Sequence, residues 1–180
     1  MRLRQNWVDG VDRKAFQGGS EVNNDIDQMV NWFRVKSNQQ MQELDADELS
    51  RAKVSQLLYY VQGICVVVYG INAFTDDLVA GERGVMIPAV ERQYAGETGI
   101  VGYISSEDQA DYDYLASIQQ FQAILECVWQ TFGHLSAIDL MEMVQYEQPW
   151  AETLPGEAIS TELMEDYFKD KVIAKIKTDN

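Results

Sequence analysis

The amino-acid sequence predicts a mainly α fold: a compact, single-domain helical bundle around one buried central helix, with room for a minor β-hairpin. Three observations carry this. The run SQLLYYVQGICVVVYG, Ser55 to Gly70, becomes apolar on every side at helical spacing, as only a helix surrounded by protein can be. Between Leu115 and Phe132, the residues Leu115, Ile118, Phe121, Gln122, Leu125, Val128, Trp129 and Phe132 keep to one helical face, and only Gln122 among them is polar. A chain of 180 residues with 46% apolar content is also long enough to bury roughly two thirds of its unfolded surface in one core.

Residues 1–22 carry Gly10 and Gly18-Gly19-Ser20 as breakers and Arg2, Arg4, Arg13 and Lys14 as local positive charge; they read as a mobile arm ahead of a domain over 23–178. The first helix is expected from about Asp25 to Lys36, capped by Asn23 or Asn24, with Ile26, Met29, Val30 and Phe33 inward and a polar connector after it. The central helix starts at Ser50 as N-cap and ends before Gly70, which suits the left-handed C′ position. Within it, Gly63 costs about 1 kcal/mol relative to alanine, a cost best offset by a neighbouring backbone packed against it.

Glycines at 81, 84, 96, 99 and 102 break the next stretch. Pro88 opens a short helix through about Tyr94, because a first-turn residue needs no amide proton, and GIVGYI is expected to be extended. Ser106 and Gln109 form a capping box before the long amphipathic helix, which Gly133 ends. Ser136, with Asp139, opens a short helix to Pro149 that buries Ile138, Met141 and Val144 and includes Gln145. A last helix begins near Ser160, burying Leu163, Met164, Tyr167, Val172, Ile173 and Ile176, with Lys169, Lys171, Lys175 and Lys177 placed to suit its dipole.

Net charge is −15, and its distribution is more informative than its size. No Lys or Arg occurs between Arg92 and Lys169, an interval with fourteen Asp and Glu. Such a surface repels phosphate backbones, so direct nucleic-acid binding is not expected, and a basic protein partner fits better. The longest unbroken apolar run, Ile64 to Tyr69, is far short of the ~20 residues of a spanning helix, and the N-terminus lacks the apolar stretch of a secretory signal. The expectation is a soluble, cytoplasmic protein with no membrane association. Cys65 and Cys127 sit in apolar helical patterns and read as buried, reduced thiols.

The residues give little support to catalysis. His134 is the only histidine and follows a helix end, without a nucleophile and acid matched to it. No H-E-x-x-H, paired Cys-x-x-Cys or EF-hand pattern is present, and Asp108, Asp111 and Asp113 have the spacing of a helix's exposed first turns. GERGVMIP lacks the lysine and spacing of a phosphate loop. The expectation is therefore a non-enzyme without metal or cofactor. Arg83 either pairs internally with an acid or points to a partner. The candidate partner-binding residues are Arg83, Glu142, Glu147, Trp150 and Glu152; Trp129 and Trp150 are expected to anchor the core by size.

LSRAKVSQLLYYVQG resembles the opening of the Panacea, or SocA-like, antitoxin domain, also met in GepA-type phage-associated proteins. AGERGVMIPAVERQY is similar to that family's A-W-x-x-G-P-V-x-P segment. ILECVWQTFGHLSAIDLMEMVQYEQPW is similar to its V-W-x-x-[YF]-G-x-L-S-A-x-x-L and P-W segment. NDIDQMVNWF and ISTELMEDYF resemble the first and closing helices, so the likeness covers about Asp25 to Phe168. It marks Leu57, Leu58, Tyr59, Tyr60, Gln62, Gly63, Gly84, Pro88, Trp129, Gly133, Leu135, Ser136, Pro149 and Trp150 as family-motif positions. The chain departs from the pattern at Gly81, Val85 and Gln145, where the family usually has tryptophan, proline and histidine.

The resemblance implies an antitoxin of a type II toxin–antitoxin system, which binds its cognate toxin directly. A phage-encoded acidic inhibitor of a host defence nuclease, or a proteolytic adaptor delivering a toxin to a protease, are the alternatives; a homo-oligomer is compatible with each. Tyr59, Tyr60 and Gln62 are expected to be scaffold, because a buried tyrosine hydroxyl can satisfy a polar group while its ring packs.

Overall fold

The computed structural model describes residues 25–44 and 46–172. The expected mobile arm, the Asn23 and Asn24 caps, and Ile173, Lys175, Ile176 and Lys177 lie outside the described residues. Eight α-helices are present among the described residues: α1 (Ile26–Leu44), α2 (Arg51–Tyr69), α3 (Pro88–Gln93), α4 (Ser106–Ser117), α5 (Gln119–Phe132), α6 (Ala137–Gln145), α7 (Gln148–Ala151) and α8 (Thr161–Tyr167). A π-helical turn, Phe168–Val172, continues α8. One antiparallel hairpin pairs β1 (Val79–Ala80) with β2 (Val85–Met86), Val79 opposite Met86 and Ala80 opposite Val85.

The central rod is α2. It is buried on every face from Val54 to Val66 and packs against α5, α6, α8 and β2. Its ends are as the sequence predicts. The Ser50 hydroxyl accepts from the Lys53 N–H at 3.2 Å, and Gly70 takes the left-handed conformation (φ 69°) while its N–H donates to the Val66 carbonyl. Leu57, Leu58, Val61 and Ile64 are all fully enclosed, each contributing about 1.5–3 kcal/mol by leaving water.

Gly63 has a different explanation from the expected backbone contact. A Cβ there would stand 2.5 Å from the ring of Phe168, which is wholly buried against α2. The glycine makes room for an aromatic ring. Gly63→Ala should destabilise the fold by about 2 kcal/mol in denaturant melts, because overpacking of ~1–3 kcal/mol outweighs alanine's helix propensity. Phe168→Leu in the same chain should recover part of the loss.

Four other elements depart from the sequence reading. Helix α1 continues to Leu44 rather than ending near Lys36. Its supposed polar connector is rich in helix formers, the buried Ser37 hydroxyl accepts from the Leu49 N–H at 3.1 Å, and Lys36 pairs with Glu126 at 2.8 Å. The long amphipathic segment is two helices. The Ser117 hydroxyl donates to the Tyr114 carbonyl at 2.6 Å, occupying the acceptor that the Ile118 N–H would use in a continuous helix, and Ile118 turns extended (φ −93°, ψ 101°).

The capping box of α4 belongs to Ser105 and Asp108 rather than to Ser106 and Gln109. Arg34 holds the Asp108 carboxylate at 2.8 Å and so fixes which residue caps. GIVGYI forms no strand. Arg34 donates to the carbonyls of Ile100, Val101 and Tyr103, while Glu48 accepts from the N–H groups of Val101 and Gly102. A Cβ on Gly99 would collide with the Glu48 carboxylate. Side chains from α1 and from the residues before α2 thus replace a strand partner.

Cys65 is buried and Cys127 half-buried, and neither forms a disulfide. Burial pushes the Cys65 thiol up to about 12, so it stays protonated at neutral pH. No helix among the described residues is long and apolar enough to cross a membrane.

Candidate functional site

The two tyrosines of the central helix converge on one carboxylate. Glu147 lies between α6 and α7, where its N–H donates to the Val144 carbonyl and its own carbonyl accepts from Ala151. Its side chain turns inward: the Tyr59 hydroxyl donates to Oε2 and the Tyr60 hydroxyl to Oε1, both at 2.8 Å. With 8% exposure Glu147 is not a partner-facing residue, contrary to the sequence expectation. A buried carboxylate is costly unless it is hydrogen-bonded, and these two hydroxyls supply that.

The rings close the arrangement. Tyr60 stacks on Phe132 with centroids 4.0 Å apart, and Phe168 sets its edge against Tyr59 at 5.2 Å. Burial first, and Glu147 second, raise both phenols far above the ordinary tyrosine range. Tyr167, half-buried, moves in the same direction for the same two reasons. The cluster stays protonated on the tyrosines and ties α2, the α6–α7 corner and α8 together.

Two glutamines of α2 clamp backbone. Gln56 accepts from the Val85 N–H at 2.8 Å and donates to the Val85 carbonyl at 2.9 Å, fixing the hairpin. Gln62 accepts from the Ala73 N–H at 2.8 Å, with longer bonds to the N–H and carbonyl of Phe74, fixing the turn after α2. Tyr59, Tyr60 and Gln62 are therefore scaffold, as the sequence suggests; Gln56, four residues after Ala52 and six before Gln62, has the same role and was missed. A Cβ on Gly84 would stand 2.8 Å from Gln56 Oε1 and 3.1 Å from Met141 Cγ, which accounts for glycine there.

Around this frame lie the other candidates. Arg83 is exposed in the hairpin turn, and its guanidinium has no carboxylate partner among the described residues. Its carbonyl accepts from Gln145 Nε2 at 2.6 Å, which pins the hairpin to the end of α6. Gly81, Val85 and Gln145, the departures from the resembled pattern, thus all fall at this junction. Gly81 donates its N–H to the Gly84 carbonyl across the turn at 2.8 Å, and Val85 holds Gln56 through an N–H that proline would lack.

Glu142 and Glu152 are exposed, as a partner-binding role requires. Trp150 is half-buried against the core, with its indole N–H buried and unpaired among the described residues, so it presents little to a partner. Pro149 is buried in the first turn of α7, and Pro88 opens α3. Trp129 and Leu135 pack on the core edge. Lys53 reaches the Gly133 carbonyl at 2.7 Å and lies 5.9 Å from the Trp129 ring centre, neutralising the end of α5. Ser136 and Asp139 form the expected capping box of α6. The inward residues of α6 are Leu140 and Val144; Ile138, expected in the core, is 64% exposed.

About a third of the acidic tract is engaged within the fold. Asp108 holds Arg34, Glu126 holds Lys36, Asp111 accepts from Asn31 at 2.8 Å, Asp139 caps α6, and Glu147 is buried. Glu142, Glu152, Glu157, Glu162, Glu165 and Asp166 remain on the surface of the 137–168 region. Of the eight Lys and Arg among the described residues, Arg34, Lys36 and Arg51 pair with carboxylates and Lys53 caps a helix.

The surface of the described residues includes a hollow of about 380 Å³ beside Ser50, Arg51 and Thr98, and one of about 100 Å³ beside Gln62, Asp76 and Asp77. Neither is lined by Arg83 or His134. Among the described residues no three His, Cys, Asp or Glu side chains are grouped to hold a metal ion. Compared with protein-family models, with curated proteins and with solved structures, the chain matches none.

Proposed function

We propose that the protein is a SocA-like antitoxin of a type II system, a non-enzymatic chain that neutralises a basic protein toxin by binding it directly. One observation carries the reading: the surface over α6 to α8 exposes Glu142, Glu152, Glu157, Glu162, Glu165 and Asp166, and no Lys or Arg lies anywhere between residues 93 and 168. Toxins that act on nucleic acids or nucleotides need cationic sites, and a predominantly acidic surface accelerates their capture and covers those sites. The scaffold supports it. The tyrosine-held carboxylate of Glu147 fixes the α6–α7 corner, and backbone hydrogen bonds of Gly156, Glu157 and Ile159 to Ala80 and Leu78 hold the segment before α8, so little ordering is required on binding.

Co-expression with each neighbouring gene tests this. One neighbour should be toxic alone, be tolerated in the presence of this chain, and co-purify with it stoichiometrically. Replacing Glu142, Glu152 and Glu157 together by lysine should slow association about tenfold and flatten its salt dependence, since steering acts mainly on the on-rate. Turnover of a small molecule by the purified chain, or stoichiometric attachment to duplex DNA, overturns the reading.

A further inference from the structure

We propose that the outward face of α6 is the seat for a basic, amphipathic segment of the partner, with Tyr146 as its central contact. This rests on the preceding reading of a basic protein partner and adds where that partner docks. Six large apolar side chains are exposed among the described residues, and four of them, Ile138, Met143, Tyr146 and Leu154, fall between positions 138 and 154. Tyr146 is 91% exposed, Leu154 65% and Met143 38%. Isolated exposed apolar residues are ordinary, but a concentration on one short helix and the loop beyond it marks an interaction surface.

Helical spacing brings them together. Ile138, Glu142 and Tyr146 stand at i, i+4 and i+8, and Asp139 and Met143 at i+1 and i+5 beside them, so the face alternates apolar and acidic side chains. Leu154 belongs to the same neighbourhood through the hairpin: Gly156 donates to the Ala80 carbonyl at 2.8 Å, and Gln145 donates to that of Arg83. Tyr146 stands on fixed backbone. Its N–H bonds to the Met143 and Val144 carbonyls, and the next residue is Glu147, locked by two tyrosines. An exposed aromatic on a rigid mount is what a binding hot spot requires.

Charge selects the occupant. A second copy of this face would set Asp139 and Glu142 against the same carboxylates, a like-charge pairing that disfavours self-association. A segment with Lys or Arg interleaved with aliphatic residues meets both components of the face at once, cations on Asp139 and Glu142 and apolar side chains on Ile138, Met143 and Tyr146. Tyrosine suits this contact because its ring packs while its hydroxyl remains hydrated.

The test is a titration of the isotope-labelled full chain with a synthetic Lys/Leu amphipathic helical peptide and, separately, with an oligolysine of equal charge. The Lys/Leu peptide should shift the amide resonances of 138–146 and bind about tenfold more tightly than oligolysine. Tyr146→Ala should weaken it about tenfold with an unchanged melting temperature, and Ile138→Ser should weaken it less. Shifts confined to Glu162, Glu165 and Asp166 on α8, or no effect of Tyr146→Ala, overturn the α6 seat and leave the reading of a basic partner standing. Binding of neither peptide anywhere overturns both. A dimer that dissociates on Tyr146→Ala would make a second copy the occupant, and would equally overturn the proposal.

Discussion

Glu147→Leu should lower the stability of the fold by about 3 kcal/mol, one of the largest losses available to a single substitution in this chain. The leucine leaves the Tyr59 and Tyr60 hydroxyls, both fully buried, without their acceptor, and each unpaired donor costs ~1–3 kcal/mol. Relief from burying a carboxylate offsets part of that. Glu147→Gln keeps an acceptor oxygen and should cost roughly 1 kcal/mol. The triple variant Tyr59→Phe, Tyr60→Phe, Glu147→Leu separates the causes: removing both buried donors and the acceptor together should restore most of the loss, because the Tyr167 hydroxyl, which also bonds Glu147, is on a half-exposed side chain that water can satisfy. Chemical denaturation of the four chains measures this. A triple variant as unstable as the single one would show that the carboxylate acts through something other than the two hydroxyls.

The same cluster gives the protein an alkaline limit. Tyr59 and Tyr60 have their pKa raised above the value of 10.0 that holds in the unfolded chain, by burial and then by Glu147. The folded state therefore retains protons that the unfolded chain releases, so this contribution is complete below pH 10 and falls as pH rises beyond it. Phenolate absorbance from these two side chains should appear only together with loss of the helical circular dichroism signal. In Glu147→Leu the Glu147 contribution to both shifts is gone, and the alkaline decline should be shallower.

Local signals were legible where the chain satisfies its own backbone. Ser50 and Gly70, Ser136 with Asp139, Pro88 and Ser160 each cap or open the helix expected of them, because a cap depends on a few neighbouring residues. The central position of α2 was legible too, since a helix apolar on all sides has nowhere else to go. What failed to show was set by distant partners. The Ile118 break depends on a hydroxyl taking one carbonyl in a segment whose apolar pattern passes through without interruption. Glu147 sat among surface glutamates in a wholly acidic tract, and only the two tyrosines eighty-seven and eighty-eight residues earlier mark it as buried. Phe168 was invisible for the same reason, although Gly63 in a helix interior was the signal that something large had to fit there. On α6, the pattern put Ile138 inward, whereas the corner set by Gly133 and Ser136 turns Leu140 and Val144 to the core; the outward Ile138 is part of the proposed seat.

Arg34 was the other omission, and its removal carries the second large effect. Its guanidinium donates through Nε to Ile100, through Nη1 to Asn31 and Asp108, and through Nη2 to Val101 and Tyr103, at 2.7–3.2 Å. The Arg34 and Asp108 side chains are only 11% and 14% exposed. Arg34→Met retains the apolar stem but leaves the Ile100 and Val101 carbonyls without their donor and the largely buried Asp108 carboxylate with Ser105 alone, and should cost about 3 kcal/mol. Arg34→Lys should recover little, because an ammonium cannot fork to acceptors on two sides. The loss should be local before it is global: amide exchange should accelerate over 99–108 first, since that segment has no strand pairing of its own. Acid behaviour gives an independent check. Burial works to raise the Asp108 carboxyl, but hydrogen bonds from Ser105 and the charge and hydrogen bond of Arg34 outweigh it and hold it below 3.8. A depressed carboxyl contributes stability above its unfolded pKa and loses it as pH falls through the folded value. Without Arg34 that depression shrinks to what Ser105 supplies, so Arg34→Met should show a weaker acid dependence as pH falls below 3.8. Asp108→Asn in the Arg34→Met background should then cost far less than it does alone, and full additivity would mean that the arginine holds the loop without engaging the acid.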